Sequence, residues 1–356
     1  MMGKVTVQTI AREANVSMGT VDRALNNRGR IKEETRQQIL EIANRLGYQP
    51  NKIASALGRQ HKFRIAAITP HNPYYFHQHI FRGLDEAIRE VADFGVTVDV
   101  IPCESHTVSD GIRAMESLNR SLYDGVVLNP GGDGLIPWID ALADAGIPVV
   151  TFNSDVRGSK RSFFVGENAQ RSGRMAGYMM GRLLGGHGTV AILTGFGHPG
   201  AHMTRSGGFL DALAEFPEIR VVANYSTEDS DETAYRMMGG ILSEYPDLSG
   251  VFSNSATGSE ACARFAWRHR GEYRPVMIGY DVTETVERCL EEGLFDMAID
   301  QQPDRQSYNA IMLMYRHLAE RWVPPCPELE IRANMVMRYN AREHSLARKR
   351  QDGIIL

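Results

Sequence analysis

The stretch TVQTIAREANVSMGTVDRALN, residues 6–26, decides how the chain begins to fold. Val7, Ile10, Ala11 and Ala14 recur at helical spacing and Thr6 can cap the first turn, which predicts a helix over about 6–14. A tight Asn-Val-Ser corner follows. Ser17 can then cap a second helix whose inward face is Val21, Ala24 and Leu25, leaving Met18, Gly19, Asp22 and Arg23 outward. After the loop NNRGRI comes KEETRQQILEIANRLGY, with an apolar stripe of Ile39, Ile42, Ala43 and Leu46 and a helix end at Gly47. Three short helices with a tight first turn are a helix-turn-helix layout, whose second helix can enter a DNA groove. The plainer alternative is a small helical bundle, and Asp22 puts a negative charge where phosphates would lie.

Charge bears on that choice. The first 62 residues carry eleven basic and five acidic side chains, a surplus of +6, so the remainder carries −10 of the net −4. A basic head on an acidic body points to a polyanion confined to the N-terminus, although a solvated charged surface reads the same way.

Beyond Gly47, Pro50 breaks the helical pattern. NKIASALG (51–58) is helix-prone yet too short to hold alone, since isolated helices under about 12 residues are marginal in water. From Arg64 the pattern changes to apolar runs: RIAAIT, VTVDVI, GVVLN, PVVTF, TVAILT, IRVVANY, GVFSN, PVMIGY and MAID, separated by longer helical stretches. Nine such strands alternating with helices predict an α/β fold of two doubly wound, Rossmann-like lobes with parallel sheets, dividing near SFFVGEN (162–168).

With 356 residues, 43% of them hydrophobic and 23% charged, the chain suits two or three globular domains. No apolar run nears the roughly 20 residues of a membrane span, and the N-terminus lacks a secretory pattern, so a cytoplasmic protein without a membrane partner is expected. Cys103, Cys262, Cys289 and Cys326 are widely spaced, which predicts reduced, mostly buried thiols rather than disulfides or a zinc site.

Few motifs argue for catalysis. Residues 195–200 spell GxGxxG after a strand, but Pro199 is foreign to a dinucleotide fingerprint, and a glycine-rich loop lining a cleft is preferred to NAD binding. His77 and His79 lie two apart, so on a helix they point to different faces and do not chelate one ion easily. No nucleophile elbow, HExxH or P-loop is present, so no enzyme, cofactor or metal is expected. More informative are polar residues just past strand ends, where open α/β sheets place their ligands: His71 and Asn72, Asn129, Asn153 with Ser154 and Asp155, Arg205, Asn254, Asp281 and Gln301. Taken singly each suits a loop cap, but their recurrence favours a site for a hydroxyl-rich ligand, with Tyr74, Tyr75 and Phe76 supplying apolar faces and His77 beside them.

From VTVQTIAREANVSMGTVDRALNN through GYQPNKIASALGR to the two-lobed body, the chain resembles the LacI/GalR family of bacterial transcription regulators, with a ribose-binding-protein-like (periplasmic binding protein type I) effector domain. The resemblance implies domains at 1–49 (DNA-binding), 50–62 (hinge helix and linker) and 63–340 (effector binding and dimerisation), with a polar tail at 341–356. The lobes would be about 63–163 plus 302–325 and about 164–301 plus 326–340. It implies a regulator, a repressor by expectation, acting as a homodimer or a tetramer on a pseudo-palindromic operator, with a sugar or polyol between the lobes changing its grip. Met18 and Gly19 would open the recognition helix, Arg23 would reach a further base, and Ser17, Thr20 and Asn26 would hold phosphates or the turn. Thr6, Asp22, Arg30 and Asn51 join that DNA-facing set, and Ala54 and Leu57 match the hinge helix that wedges into the minor groove. Met18–Gly19 stands where many relatives carry Tyr-Gln, and Asp22 replaces the commonest serine. In the cleft, Asn72, Tyr75, Phe76, His77 and Asn129 would face the effector, as would Arg205, Asn254, Asp281 and Gln301. Asn153–Ser154 replaces an Asp-Arg pair that holds ribose hydroxyls, which argues against ribose itself. A transport-type sugar-binding protein and an NAD-dependent enzyme are the alternatives.

Overall fold

The computed structural model describes residues 7–25, 31–46, 62–71, 75–195, 200–272 and 274–344. The chain divides into two compact units, Met1–His61 and Lys62–Leu356.

In the first unit, α1 (Val7–Glu13), α2 (Met18–Leu25) and α3 (Glu33–Arg45) close on a small core. Ile10, Val21, Ala24 and Ile39 are almost completely buried there, with Ala11, Ala14, Ile42 and Ala43 around them. The corner between α1 and α2 uses Asn15 in the left-handed region (φ 51°), which asparagine tolerates better than most residues. Ser17 Oγ then accepts from Thr20 N at 3.1 Å, the expected cap. An Arg45–Glu13 ion pair ties α3 to α1. Thr6, Asn26, Arg30, Asn51, Ala54 and Leu57, and with them the hinge segment, lie outside the described residues.

The second unit holds two six-stranded sheets. One is built from β1 (Arg64–Pro70), β2 (Thr97–Cys103), β3 (Gly125–Leu128), β4 (Val149–Phe152), β5 (Phe163–Gly166) and β11 (Glu328–Glu330), in the order β11-β5-β4-β3-β1-β2 and parallel throughout. The other comprises β6 (His187–Thr194), β7 (Glu218–Ser226), β8 (Gly250–Ser253), β9 (Val276–Tyr280), β10 (Met297–Asp300) and β12 (Asn334–Val336). Its order is β12-β10-β9-β8-β6-β7, antiparallel only at β12. Helices cover both faces of each sheet. They are α4 (Tyr75–Ala92), α5 (Val108–Glu116), α6 (Ile136–Asp144) and α12 (Pro303–Glu320) on the N-lobe, and α7 (Ala169–Leu183), α8 (Ala201–Leu213), α9 (Asp231–Glu244), α10 (Ala256–Arg268) and α11 (Glu284–Glu291) on the C-lobe. Burial on both faces explains the unbroken apolar runs: in β1, Ile65 and Ala67 feed one core cluster while Ala66 and Ile68 feed the opposite one.

The lobe boundary differs from the sequence-based division. β5 extends the N-lobe to Gly166, and β11, expected in the C-lobe, pairs in register with β5. Three short strands, β5, β11 and β12, join the nine read from apolar runs. The supposed tail also begins too early. Residues 341–344 form a helical turn in which Ala341 is buried, and His344 Nε2 lies 2.8 Å from Asp300 Oδ2. Among the described residues, no helix is long and apolar enough to cross a membrane.

Candidate functional site

The C-terminal ends of the two sheets face one cleft of about 820 Å³, part of it open to solvent. The lobes deliver their loops symmetrically. Asn153 follows β4 and Asp281 follows β9, the corresponding strand of the other sheet, and both stand in the left-handed region at φ 64° and 63°. Both line the cleft.

On the C-lobe side, Arg205 comes from the first turns of α8 rather than from a strand end, and its side chain is 2% exposed. Its placement depends on glycine: a Cβ on Gly173 of α7 would sit 2.1 Å from the Arg205 carbonyl oxygen, so α7 and α8 meet backbone to backbone. Arg205 Nε donates to Glu167 Oε1 at 2.6 Å, Nη1 to the Asn254 carbonyl at 3.0 Å and Nη2 to Gln301 Oε1 at 2.5 Å, while the guanidinium lies 4.2 Å from the Tyr280 ring centroid. Gln301 Nε2 passes the chain on to Asp281 Oδ2 at 2.9 Å. A buried charge is tolerable when paired and hydrogen-bonded in this way, and the network presents fixed polar edges to the cleft.

On the N-lobe side, Asn129 Oδ1 accepts from Asn153 Nδ2 at 3.2 Å and lies 3.2 Å from His106 Nε2. Phe76 and His77, on the first turn of α4, close this wall. Burial, with His106 and His71 nearby, pushes the His77 imidazole down from 6.5 to about 4, so it is neutral at physiological pH. Asp229, reached from β7 at φ 51°, lines the C-lobe wall. Burial raises its carboxyl above the usual range, and the Ser255 and Thr257 hydroxyls and Arg205 pull the other way.

Of the residues expected at the cleft, Phe76, His77, Asn129, Asn153, Ser154, Arg205, Asp281 and Gln301 line it. Tyr75 lines the adjoining groove, and Asn72 lies outside the described residues. Asn254 is a correction. It is fully buried, takes Gly195 N on Oδ1 at 2.9 Å, and donates from Nδ2 to the His202 carbonyl and Ser206 Oγ. Its amide is taken up by Gly195, His202 and Ser206, and it is absent from the cleft lining. Sequence reasoning missed His106, His202, Asp229, Ser255 and Thr257, which sit one to three residues past a strand or on a following helix turn. His77 and His79 part as expected, His77 to the cleft and His79 to the groove, where it lies 2.8 Å from Arg82 Nη2. Cys103, Cys262 and Cys289 are buried free thiols, and Cys326 is exposed.

In the N-terminal unit, Met18 is 56% exposed at the start of α2, next to exposed Ser17 and Gly19 and half-buried Thr20. Arg23 folds back on its own helix, Nε donating to the Gly19 carbonyl at 3.1 Å.

Comparison with known proteins matches these two parts separately. Residues 65–321 match the family described as periplasmic binding protein domain, and residues 6–51 match bacterial regulatory proteins, lacI family. A probable HTH-type transcriptional repressor, ExuR of Bacillus subtilis (strain 168), is 29% identical over 66% of this chain and 69% of its own length. The HTH-type transcriptional regulator DegA of the same organism is 25% identical over 66% and 70%. Among solved structures, a solute-binding protein of an ABC transporter from Burkholderia graminis C4D1M, in complex with D-arabinose, superposes with a TM-score of 0.73 at 22% identity, over 79% of this chain and 98% of that one. That likeness is one of fold. With an N-terminal three-helix unit and a two-lobed body each matched in its own right, the chain joins a lacI-family bacterial regulatory domain to a larger part that belongs to the periplasmic binding protein domain family.

Proposed function

We propose that the chain is a repressor-type regulator whose affinity for an operator is set by a sugar or polyol held between its lobes. The observation that carries this is the convergence of Asn129, Asn153 and Ser154 from one lobe with Arg205, Asp281 and Gln301 from the other on a single cleft walled by Phe76. Fixed amides, carboxylates and a guanidinium around an aromatic face suit a compound dense in hydroxyls. A ligand that touches both lobes stabilises their closed arrangement, and coupling to DNA follows from its unequal affinity for two states of the protein. The structure with D-arabinose bound supports the same class of ligand for this fold. A homodimer on a pseudo-palindromic operator completes the reading. Exposed apolar side chains on α8 (Met203, Leu210) and on the edge strand β7 (Val221, Tyr225) are consistent with a surface for a second copy.

The test uses the full chain. DNA selected in vitro from a random pool should yield a sequence-specific site. A thermal-shift panel of pentoses, hexoses and inositols should find a stabilising compound, and that compound should lower affinity for the selected DNA. Stabilisation by nicotinamide cofactors and by no carbohydrate would overturn the reading.

A further inference from the structure

His77 and Asp229 face the cleft from opposite lobes. His77 Nδ1 is buried without a hydrogen-bond partner on a residue only 9% exposed, and on the opposite wall Asp229, whose carboxyl is hydrogen-bonded by the Ser255 and Thr257 hydroxyls, keeps Oδ1 buried with no partner of its own. Leaving such groups unsatisfied is costly, and both line the same cleft from different lobes. Elsewhere on the lining Arg205 is held by Glu167 and Gln301, Gln301 donates to Asp281, and His106 sits against Asn129.

The charges narrow what can satisfy the two atoms. Among the described lining residues the one guanidinium, Arg205, is neutralised by Glu167, while Asp155, Asp229 and Asp281 are carboxyl groups, Asp155 being paired with Arg161 outside the cleft. The adjoining groove adds Asp231, Glu260 and Glu284. A carboxylate or phosphate only accepts hydrogen bonds, so it would set lone pairs against Asp229 and bring negative charge into an acidic surround. A hydroxyl both donates and accepts, and so meets a neutral imidazole nitrogen and a carboxyl oxygen equally well. We propose that His77 and Asp229 are specificity contacts, one from each lobe, for an uncharged polyhydroxy compound, and that together they exclude its carboxylated and phosphorylated analogues. This rests on the sugar-or-polyol reading above and adds the charge class of the ligand and two residues that select it.

Calorimetry on the full chain tests it with matched probes: D-galactose against D-galacturonate, D-glucose against D-glucose 6-phosphate, D-ribose against D-ribose 5-phosphate, and myo-inositol against its 1-phosphate. At least one neutral member should bind and its charged partner should not. His77→Leu and Asp229→Gly should each weaken that neutral compound about tenfold or more. Glycine suits φ 51°, so Asp229→Gly deletes the carboxyl without backbone strain. His77→Leu removes an unsatisfied buried nitrogen and should raise the melting temperature of the ligand-free protein, a readout that needs no ligand. A charged probe binding more tightly than its neutral parent, or unchanged affinity in both variants, overturns the inference alone. If no probe of either kind binds, the carbohydrate reading falls and the inference with it.

Discussion

Arg205 shows how far a single side chain can be committed before any ligand arrives. Its guanidinium joins Glu167, the Asn254 carbonyl and Gln301 and lies against Tyr280, all within the C-lobe end of the cleft. Arg205→Ala would leave the Glu167 carboxylate buried and unpaired, and is expected to lower unfolding stability by about 3–5 kcal/mol. Chemical denaturation measures this, and a loss under about 1 kcal/mol would contradict the pairing. Loss of ligand response in that variant would therefore report on folding as much as on binding. His77 supplies the pH dependence. Its folded pKa, about 4, lies below the ordinary 6.5, so the unfolded chain binds the proton more readily. Above about 6.5 the ring is neutral in both states and protonation costs the fold nothing; as pH falls towards about 4 the unfolded chain takes up the proton first, and the fold loses up to about 3 kcal/mol. Unfolding followed across that window should show this slope, and His77→Leu should flatten it.

At the scale of the element, α2 contains an exposed glycine in its first turn that packing does not require: a Cβ on Gly19 would come no closer than 3.8 Å to Ser17 Oγ. Gly19→Ala should stabilise the N-terminal unit by about 0.5–1 kcal/mol through helix propensity alone. If operator affinity falls while thermal stability rises, the missing side chain serves close approach to DNA; unchanged affinity would remove Gly19 from the DNA-facing set. The elements legible in the sequence were those with strong periodicity, including three helices of the first unit and nine apolar strands. Glu328–Glu330 and Asn334–Val336 escaped because three residues carry no pattern, and Phe163–Gly166 because it read as a boundary. Position past a strand end located most of the cleft, but it could not distinguish Asn129, which faces the cleft, from Asn254 at the corresponding place, whose amide is consumed by Gly195 and Ser206. That distinction depends on neighbours distant in sequence.

For the whole molecule, charge asymmetry sets the expected response to salt. The +6 of the first 62 residues against the −10 of the rest would confine phosphate contacts to the N-terminal unit. Operator affinity should fall steeply with salt, the slope of log K against log salt being about −0.9 per phosphate neutralised. A fluorescence titration between low and physiological salt gives it, and a flat dependence would argue against phosphate contacts by the head. The lobes of the larger unit are joined at three places, and those places are stitched together: Ile331 N donates to the Gly166 carbonyl at 2.7 Å, and Gln302 Nε2 to the Arg332 carbonyl at 2.6 Å. Three parallel tethers bonded side by side behave as a strip hinge. Swing about one axis stays soft while twist and slide become stiff, so whatever enters the cleft is converted into one direction of travel at the far ends of the lobes.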